Sequence, residues 1–200
     1  KVEAIIIIFM FIGGINFTLI WFLLAREYVK AFKDEEFKTY LVSIFVAVAV
    51  MMVALVTTNV DLGDSFRQSL FQTISIGTST GYTTQDYMTW PAVTQFILMI
   101  LMIVGACAGS TSGGLKLMRI ILAFKVAMRE LVRIAQPRKI KQIRMNGGVV
   151  EPQQIDKIVG MLFVWIGLFG ISCILLSVLM YNESFESIIE PDNNFFSNYF

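Results

Sequence analysis

Residues 64–82 have the sequence DSFRQSLFQTISIGTSTGY, and the rest of the chain is organised around them. The stretch begins as a short amphipathic helix and ends in small, hydroxyl-bearing residues around Gly77 and Gly81. It lies between two hydrophobic spans, yet it is too short and too polar to cross a bilayer. A half-helix followed by an extended Thr/Ser/Gly strand is how ion channels build a filter from backbone carbonyls. We therefore predict a re-entrant pore loop, with a pore helix over 65–77 capped by Asp64 and Ser65.

The composition is that of a membrane protein. Of the 200 residues, 56% are hydrophobic and 16% are charged, whereas a soluble domain carries about 25% charged residues. The sequence has no histidine and only two cysteines, Cys107 and Cys173, each within an apolar run. This poor supply of ligands argues against zinc, haem and iron–sulfur sites and against a disulfide framework. We expect no cofactor in this chain.

The hydrophobic segments predict helices that cross the membrane. The first covers about 4–24, the second about 40–56 and the last about 158–181; ~20 helical residues span a hydrocarbon core of about 30 Å. Within the first segment, we expect Gly13 and Gly14 to allow a close helix–helix contact and Asn16 to bond across helices.

The third span, about 90–104, has ~15 residues and only about 22 Å of helix, too short to cross. It is followed by 105–114, which contains four glycines and three hydroxyl residues while still at membrane depth. Irregular backbone is tolerated there only if it is buried in protein or lines a wet cavity. We interpret this glycine-rich loop as part of an ion pathway; the alternative is a helix kink at a packing contact.

The charge distribution fixes an orientation. Residues 26–38 and 116–144 hold most of the basic side chains, whereas 59–89 contain Arg67 alone beside three aspartates. By the positive-inside rule both basic segments are cytoplasmic. The two basic segments can lie on the same side of the membrane only if residues 64–82 enter the membrane from the outside and return to the outside. The outer acidic residues would then raise the local cation concentration.

The candidate filter segment is 78–82, with the residues Thr78, Ser79, Thr80, Gly81 and Tyr82. Backbone carbonyls can replace the hydration shell of a potassium ion, and glycine allows the positive φ that such a strand requires. We expect potassium to bind the backbone at Ser79, Thr80 and Gly81, with Tyr82 as a sideways anchor. A Ser/Thr-rich extracellular loop is the alternative interpretation.

Several motifs resemble one family. Residues 70–82, followed by Trp90 and Pro91, are similar to the third repeat of bacterial Trk-type potassium uptake permeases, of the Trk/Ktr/HKT superfamily. Residues 105–116 (GACAGSTSGGLK) resemble that family's intramembrane gating loop, and 13–17 (GGINF) and 34–37 (DEEF) also match it.

The resemblance implies an all-α integral membrane protein of the cell (inner) membrane, crossing it several times. The family fold has four M1–P–M2 repeats, each an outer helix, a re-entrant pore helix and an inner helix that is broken. Residues 1–30 would be the last helix of one repeat and 31–135 a complete repeat. Residues 136–154 would form a cytoplasmic loop, and 155–200 the next repeat's first helix with an incomplete extracellular tail. We therefore expect this chain to be part of a longer polypeptide.

The resemblance also implies potassium uptake, not catalysis, with potassium as substrate and lipid as surroundings. It implies a homodimer whose cytosolic nucleotide-binding ring docks on 116–144, and no nucleic acid. The gate residues that it implies are Gly105, Gly109, Ser110, Thr111, Ser112, Gly113 and Gly114.

Two departures and two alternatives qualify this interpretation. Residues 189–192 (IEPD) stand where family pore helices continue, and the filter lacks the second glycine of Thr-Val-Gly-Tyr-Gly, which predicts weaker discrimination against sodium. A homotetrameric cation channel or a non-conducting scaffold subunit are the alternatives. An enzyme is disfavoured, because no nucleophile is paired with a base and 109–116 do not satisfy the phosphate-loop pattern.

Overall fold

The computed structural model describes residues 2–136 and 142–189, with side chains described up to Tyr181. The chain divides into two compact units, Lys1–Ile158 and Val159–Phe200. The described elements, in chain order, are α1 (Val2–Gly13), α2 (Phe17–Leu24), α3 (Tyr28–Lys33), α4 (Glu35–Val56), α5 (Leu62–Gly77), a 3-10 turn (Tyr87–Thr89), α6 (Ala92–Val104), α7 (Leu117–Ala135), β1 (Arg144–Met145), β2 (Gly148–Val149) and α8 (Pro152–Ile189). The predicted all-α class is therefore confirmed, apart from two short strands.

Two described helices are long and apolar enough to cross a membrane: α4 and the Pro152–Tyr181 part of α8. The bent pair of α1 and α2 would make a third span, and α6 is a shorter apolar helix. Helix α6 follows Pro91 and ends at Val104, as predicted. The chain then continues without helix until α7 begins at Leu117.

The prediction of one unbroken helix over 4–24 is wrong. Helix α1 ends at Gly13, α2 begins at Phe17, and their axes differ by 106°. Asn16 caps α2, because its Oδ1 accepts the backbone N–H of Thr18 at 2.8 Å. This local bond replaces the expected interhelical one. The close contact at the glycines is confirmed, since a Cβ on Gly14 would collide with the Tyr40 hydroxyl.

Helix α5 begins nearly one turn earlier than the predicted 65–77. Its first residue is Leu62, and the carboxylate of Asp61 accepts the N–H of Gly63 at 3.0 Å. Asp64 and Ser65 are therefore not its N-cap. The helix packs against α1, α4 and α6. Phe71 and Ile74 are buried with Met10 of α1, which fixes the helix within the first unit.

Apolar and polar residues alternate from Ile143 around Asn146-Gly147, a pattern that predicts a short hairpin, and the structure confirms it. Arg144 pairs with Val149, and both turn residues have positive φ (51° and 82°), as a tight hairpin turn requires. In the second unit, α8 carries a stacked pair, Trp165 and Phe169, with ring centroids 5.3 Å apart. The backbone of α8 stays helical to Ile189, the first residue of the 189–192 departure from the family pattern, and residues 190–200 lie outside the described part.

Candidate functional site

The filter segment turns back immediately after α5. The N–H groups of Thr80 and Gly81 both point to the carbonyl of Ser75, at 2.9 and 3.3 Å. Ser79 and Gly81 have positive φ values of 58° and 79°. Thr78 is buried, whereas the next four residues are exposed in this chain. The turn therefore presents a short irregular strand at the C-terminal end of the helix.

Hydroxyl groups fasten this strand to the helix end. Thr78 Oγ1 donates to the carbonyl of Ile74 at 2.7 Å and lies 2.8 Å from Thr80 Oγ1. Ser75 Oγ donates to the carbonyl of Tyr82 at 2.6 Å, which closes the far end of the strand. The Tyr82 ring itself is 58% exposed, so within this chain it does not act as the expected sideways anchor.

Four successive carbonyls of the strand have no donor. Within 2–136 and 142–189, the oxygens of Thr78, Ser79, Thr80 and Gly81 accept no hydrogen bond. Carbonyl oxygens without a protein donor can coordinate a dehydrated cation. The C-terminus of α5 adds a partial negative charge at the same place.

The glycine-rich loop (residues 105–114) is closed at its base. Leu115 N–H donates to Ile103 O and Lys116 N–H donates to Val104 O, both at 3.0 Å. At Gly105, with φ 72° and ψ −162°, a Cβ would collide with the carbonyl of Gly113. A Cβ on Gly114 would lie 2.9 Å from Ile103 O. Glycine is thus required where the two ends of the loop meet.

Hydroxyl groups also organise the interior of the loop. Ser112 Oγ accepts the N–H of Ala106 at 3.1 Å, and Ser110 Oγ donates to Cys107 O at 2.6 Å. The ammonium group of Lys116 donates to the carbonyls of Ser110 and Ser112. The loop is therefore a compact body held together by its own hydrogen bonds.

The loop docks on the break between α1 and α2. Cys107 N–H donates to Gly14 O at 3.2 Å, and Thr111 N–H to Gly13 O at 3.1 Å. In return Phe17 N–H donates to Gly109 O at 3.1 Å. Sequence reasoning missed this docking, although two glycines followed by Asn16, a good cap residue, could have indicated a helix break.

The filter segment and the glycine-rich loop are in direct contact. Gly113 N–H donates to Ser79 Oγ at 3.1 Å across 34 positions of sequence. A Cβ on Gly113 would lie 3.4 Å from the same oxygen. The structure thus brings together the two sets of residues that the sequence predicted separately.

A further group, missed by sequence reasoning, lies at the start of α4. One carboxylate oxygen of Glu36 accepts the N–H of Ala108 at 2.5 Å and that of Met118 at 3.1 Å. The residue is only 3% exposed. The sequence does hold one signal for this role. Three acidic residues stand in a row at a helix N-terminus, whereas a single one is enough to cap a helix.

Known proteins resemble this chain over most of its length, including the filter segment and the glycine-rich loop. Residues 1–197 match the family model described as "TrkH: Cation transport protein". The Trk system potassium uptake protein TrkH of Vibrio parahaemolyticus is 33% identical over 167 residues, 80% of this chain and 34% of that protein. Its counterpart in Escherichia coli K12 is 29% identical over 198 residues, 96% of this chain and 41% of that protein.

A solved structure agrees with the fold. The crystal structure of the potassium transporter TrkH from Vibrio parahaemolyticus superposes with a TM-score of 0.77 at 34% identity. The match covers 86% of this chain and 38% of that one. The chain therefore spans between a third and about two fifths of the length of these relatives.

Proposed function

Because this chain belongs to the TrkH family of cation transport proteins, we propose that it forms part of a potassium uptake pathway in a bacterial inner membrane. Proteins of this family are transporters, so the expectation that the chain is not an enzyme stands. Ions pass the filter segment (78–82) and then meet the glycine-rich loop (105–114). The first acts as the selectivity filter and the second as the gate.

The observation that carries this proposal is the bond between Ser79 Oγ and the N–H of Gly113. A gate must lie directly in the path that leaves the filter, and this contact joins the two segments. The donor-free carbonyls beside Ser79 supply what a dehydrated potassium ion needs. The compact build of the loop supports a gate that moves as one piece.

A substitution at Gly81 tests the filter assignment without introducing a steric clash. A Cβ on Gly81 would meet nothing within 4 Å, but its φ of 79° suits glycine alone. Gly81→Ala therefore changes the conformation of the strand without crowding it. We expect rubidium uptake by the intact protein in proteoliposomes to fall and its preference over sodium to weaken.

The matched control is Gly77→Ala, the last residue of α5, where a Cβ also meets nothing within 4 Å and no positive φ is required. It should leave uptake nearly unchanged. Equal uptake and selectivity in Gly81→Ala and the wild type would refute the filter assignment.

The gate is tested by shortening the loop. Removal of residues 110–113 deletes the contact with Ser79 while leaving the bonds that close the base of the loop. We expect a higher rubidium flux in protein that elutes as a single species. An unchanged or lower flux from such protein would contradict the gate.

We also propose that the intact protein is a homodimer and that a cytosolic nucleotide-binding ring docks on the basic segment 116–144. In the described part of that segment, α7 carries Lys125, Arg129 and Arg133 at intervals of four residues, along one side. Subunit counting in mild detergent separates the dimer from a homotetrameric channel. Loss of ring copurification in an Arg129/Arg133 double alanine variant, with the dimer intact, tests the docking surface.

A further inference from the structure

Three consecutive residues, the N-cap Asp34 and the first two residues of α4, bind two other parts of the first unit. Asp34 and Glu35 hold the cytoplasmic hairpin, and Glu36 holds the glycine-rich loop. We propose that these residues, the acidic clamp, couple the position of the hairpin to that of the loop, with Glu36 as the positioning residue. The consequence for ion flux rests on the gate proposed above; the coupling itself does not.

The inner half of the clamp is a single carboxylate oxygen with two donors. Glu36 Oε1 joins Ala108 in the middle of the loop to Met118 in the first turn of α7. Lys116, which precedes α7, provides no side-chain cap, so Glu36 supplies the negative charge that this helix N-terminus favours. Releasing Glu36 frees the loop and the start of α7 together.

The outer half of the clamp holds the hairpin turn by both backbone and side chain. Asn146 Oδ1 accepts the N–H of Glu35 at 2.8 Å, and Asn146 Nδ2 donates to Asp34 Oδ2 at 2.6 Å. Asn146 N–H donates to the carboxylate of Glu35 at 3.2 Å. Lys125 of α7 pairs with the same carboxylate and donates to Arg144 O at 2.8 Å.

Helix capping alone does not account for the three carboxylates. Asp34 already caps α4, because its Oδ1 accepts the N–H of Phe37 at 2.9 Å. Glu36 is 3% exposed, and a buried carboxylate is costly unless it is hydrogen-bonded. Since Glu35 and Glu36 are adjacent in one helical turn, a shift of the hairpin that pulls Glu35 also moves Glu36. A ligand that displaces the hairpin would therefore loosen the loop.

The loop carries its own reporter of this release. Cys107 precedes Ala108 and is fully buried in the described structure. With Cys173, and any cysteine outside this chain, replaced by serine, its rate of modification by a water-soluble maleimide measures how often the loop opens. This readout is independent of ion transport.

Two variants of the intact protein test the two halves of the clamp. Glu36→Ala removes the inner bonds. Asn146→Gly removes the side-chain bonds of the turn yet tolerates its φ of 51°. We expect each to raise Cys107 labelling by about tenfold or more. The double variant should label no faster than Glu36→Ala, because both release the same linkage. Glu36→Gln, which keeps the acceptor oxygen, should restore much of the protection.

Glu27→Gln is the matched control, since Glu27 lies in the same charged segment, residues 26–38, but is exposed and, among the described residues, forms an ion pair with Lys30 alone. It should leave labelling unchanged. The clamp would be overturned if Cys107 in Glu36→Ala were labelled at the wild-type rate. It would also be overturned if Glu36→Ala and Asn146→Gly changed the labelling rate independently of each other. Melting temperatures separate release of the loop from global unfolding, which would expose Cys107 in proportion to lost stability.

Rubidium flux, measured in parallel, separates the clamp from the gate. Faster labelling with a higher flux supports both proposals. Faster labelling with an unchanged flux retains the clamp and refutes the gate. A higher flux without faster labelling overturns the clamp while leaving the gate in place.

Discussion

The hydroxyl of Ser79 accepts the backbone N–H of Gly113 at 3.1 Å, and it is the bond that joins the filter segment to the glycine-rich loop in the described structure. Ser79 has a φ of 58°, a conformation that is uncommon for residues other than glycine. The contact thus joins an unusual backbone conformation on one side to a backbone N–H on the other.

Ser79→Ala removes this bond and changes little else, because Ser79 is exposed in this chain. We expect a rise in rubidium flux with a loss of at most about 1 kcal/mol of stability, the usual net worth of one hydrogen bond. Thr57→Ala is the control, since among the described residues that hydroxyl bonds only Ala54 O, in the last turn of the helix that Thr57 caps. Fluxes that remain equal in wild type and Ser79→Ala would show that the bond does not restrain the gate.

Gly105→Ala should be among the most damaging single substitutions in the loop. The φ and ψ of 72° and −162° belong to a region that is essentially open to glycine alone, and the new Cβ would collide with Gly113 O. We expect a loss of at least about 2 kcal/mol, seen as a lower melting temperature in detergent.

Gly160→Ala provides the comparison for that measurement. It lies in α8, where a Cβ meets nothing within 4 Å, and alanine favours a helix interior over glycine by roughly 0.5–1 kcal/mol. Its melting temperature should equal or exceed that of the wild type. A Gly105→Ala protein as stable as Gly160→Ala would mean that the loop relaxes freely.

Local patterns predicted those features that depend on nearby residues. Pro91 and the apolar run after it indicated α6, and Asn146 with Gly147 indicated the hairpin. The short third span followed by four glycines indicated that the helix would break there. In each case the cause lies within a few residues. It is a fixed φ, a turn geometry or the length of a hydrophobic run.

Features that depend on distant partners were predicted poorly. The bend between α1 and α2 is stabilised by N–H groups of Cys107 and Thr111, about a hundred positions away, which bind Gly14 and Gly13. Glu36 likewise finds its partners 72 and 82 positions along the chain. The start of α5 was misplaced for a simpler reason, because Asp61 and Asp64 are equally good cap residues in sequence.

Gly14→Ala tests the close packing at that bend. Its Cβ would collide with the Tyr40 hydroxyl and lie 2.8 Å from Thr78 Cγ2. Overpacking of this kind costs about 1–3 kcal/mol, and here it would also press on the first filter residue. We expect a lower melting temperature and a lower rubidium flux.

Tyr40→Phe should partly rescue Gly14→Ala, because it removes the hydroxyl oxygen with which the new Cβ would collide. Within the described part of the chain, that hydroxyl makes one long bond, 3.4 Å, to Phe11 O. The double-mutant cycle should therefore show a favourable coupling. Strict additivity of the two substitutions would contradict the proposed collision.

At Gln72 we predict a substitution that raises the melting temperature instead of lowering it. Its side chain is 1% exposed within α5, and neither its Oε1 nor its Nε2 has a hydrogen-bond partner among the described residues. A buried amide without partners costs about 1–3 kcal/mol, and methionine has a similar length and shape. Gln72→Met should therefore raise the melting temperature by more than Gln68→Met does, because Gln68 is only half-buried in the same helix. A lower melting temperature for Gln72→Met would mean that the amide is satisfied, most simply by water held between α5 and its neighbours.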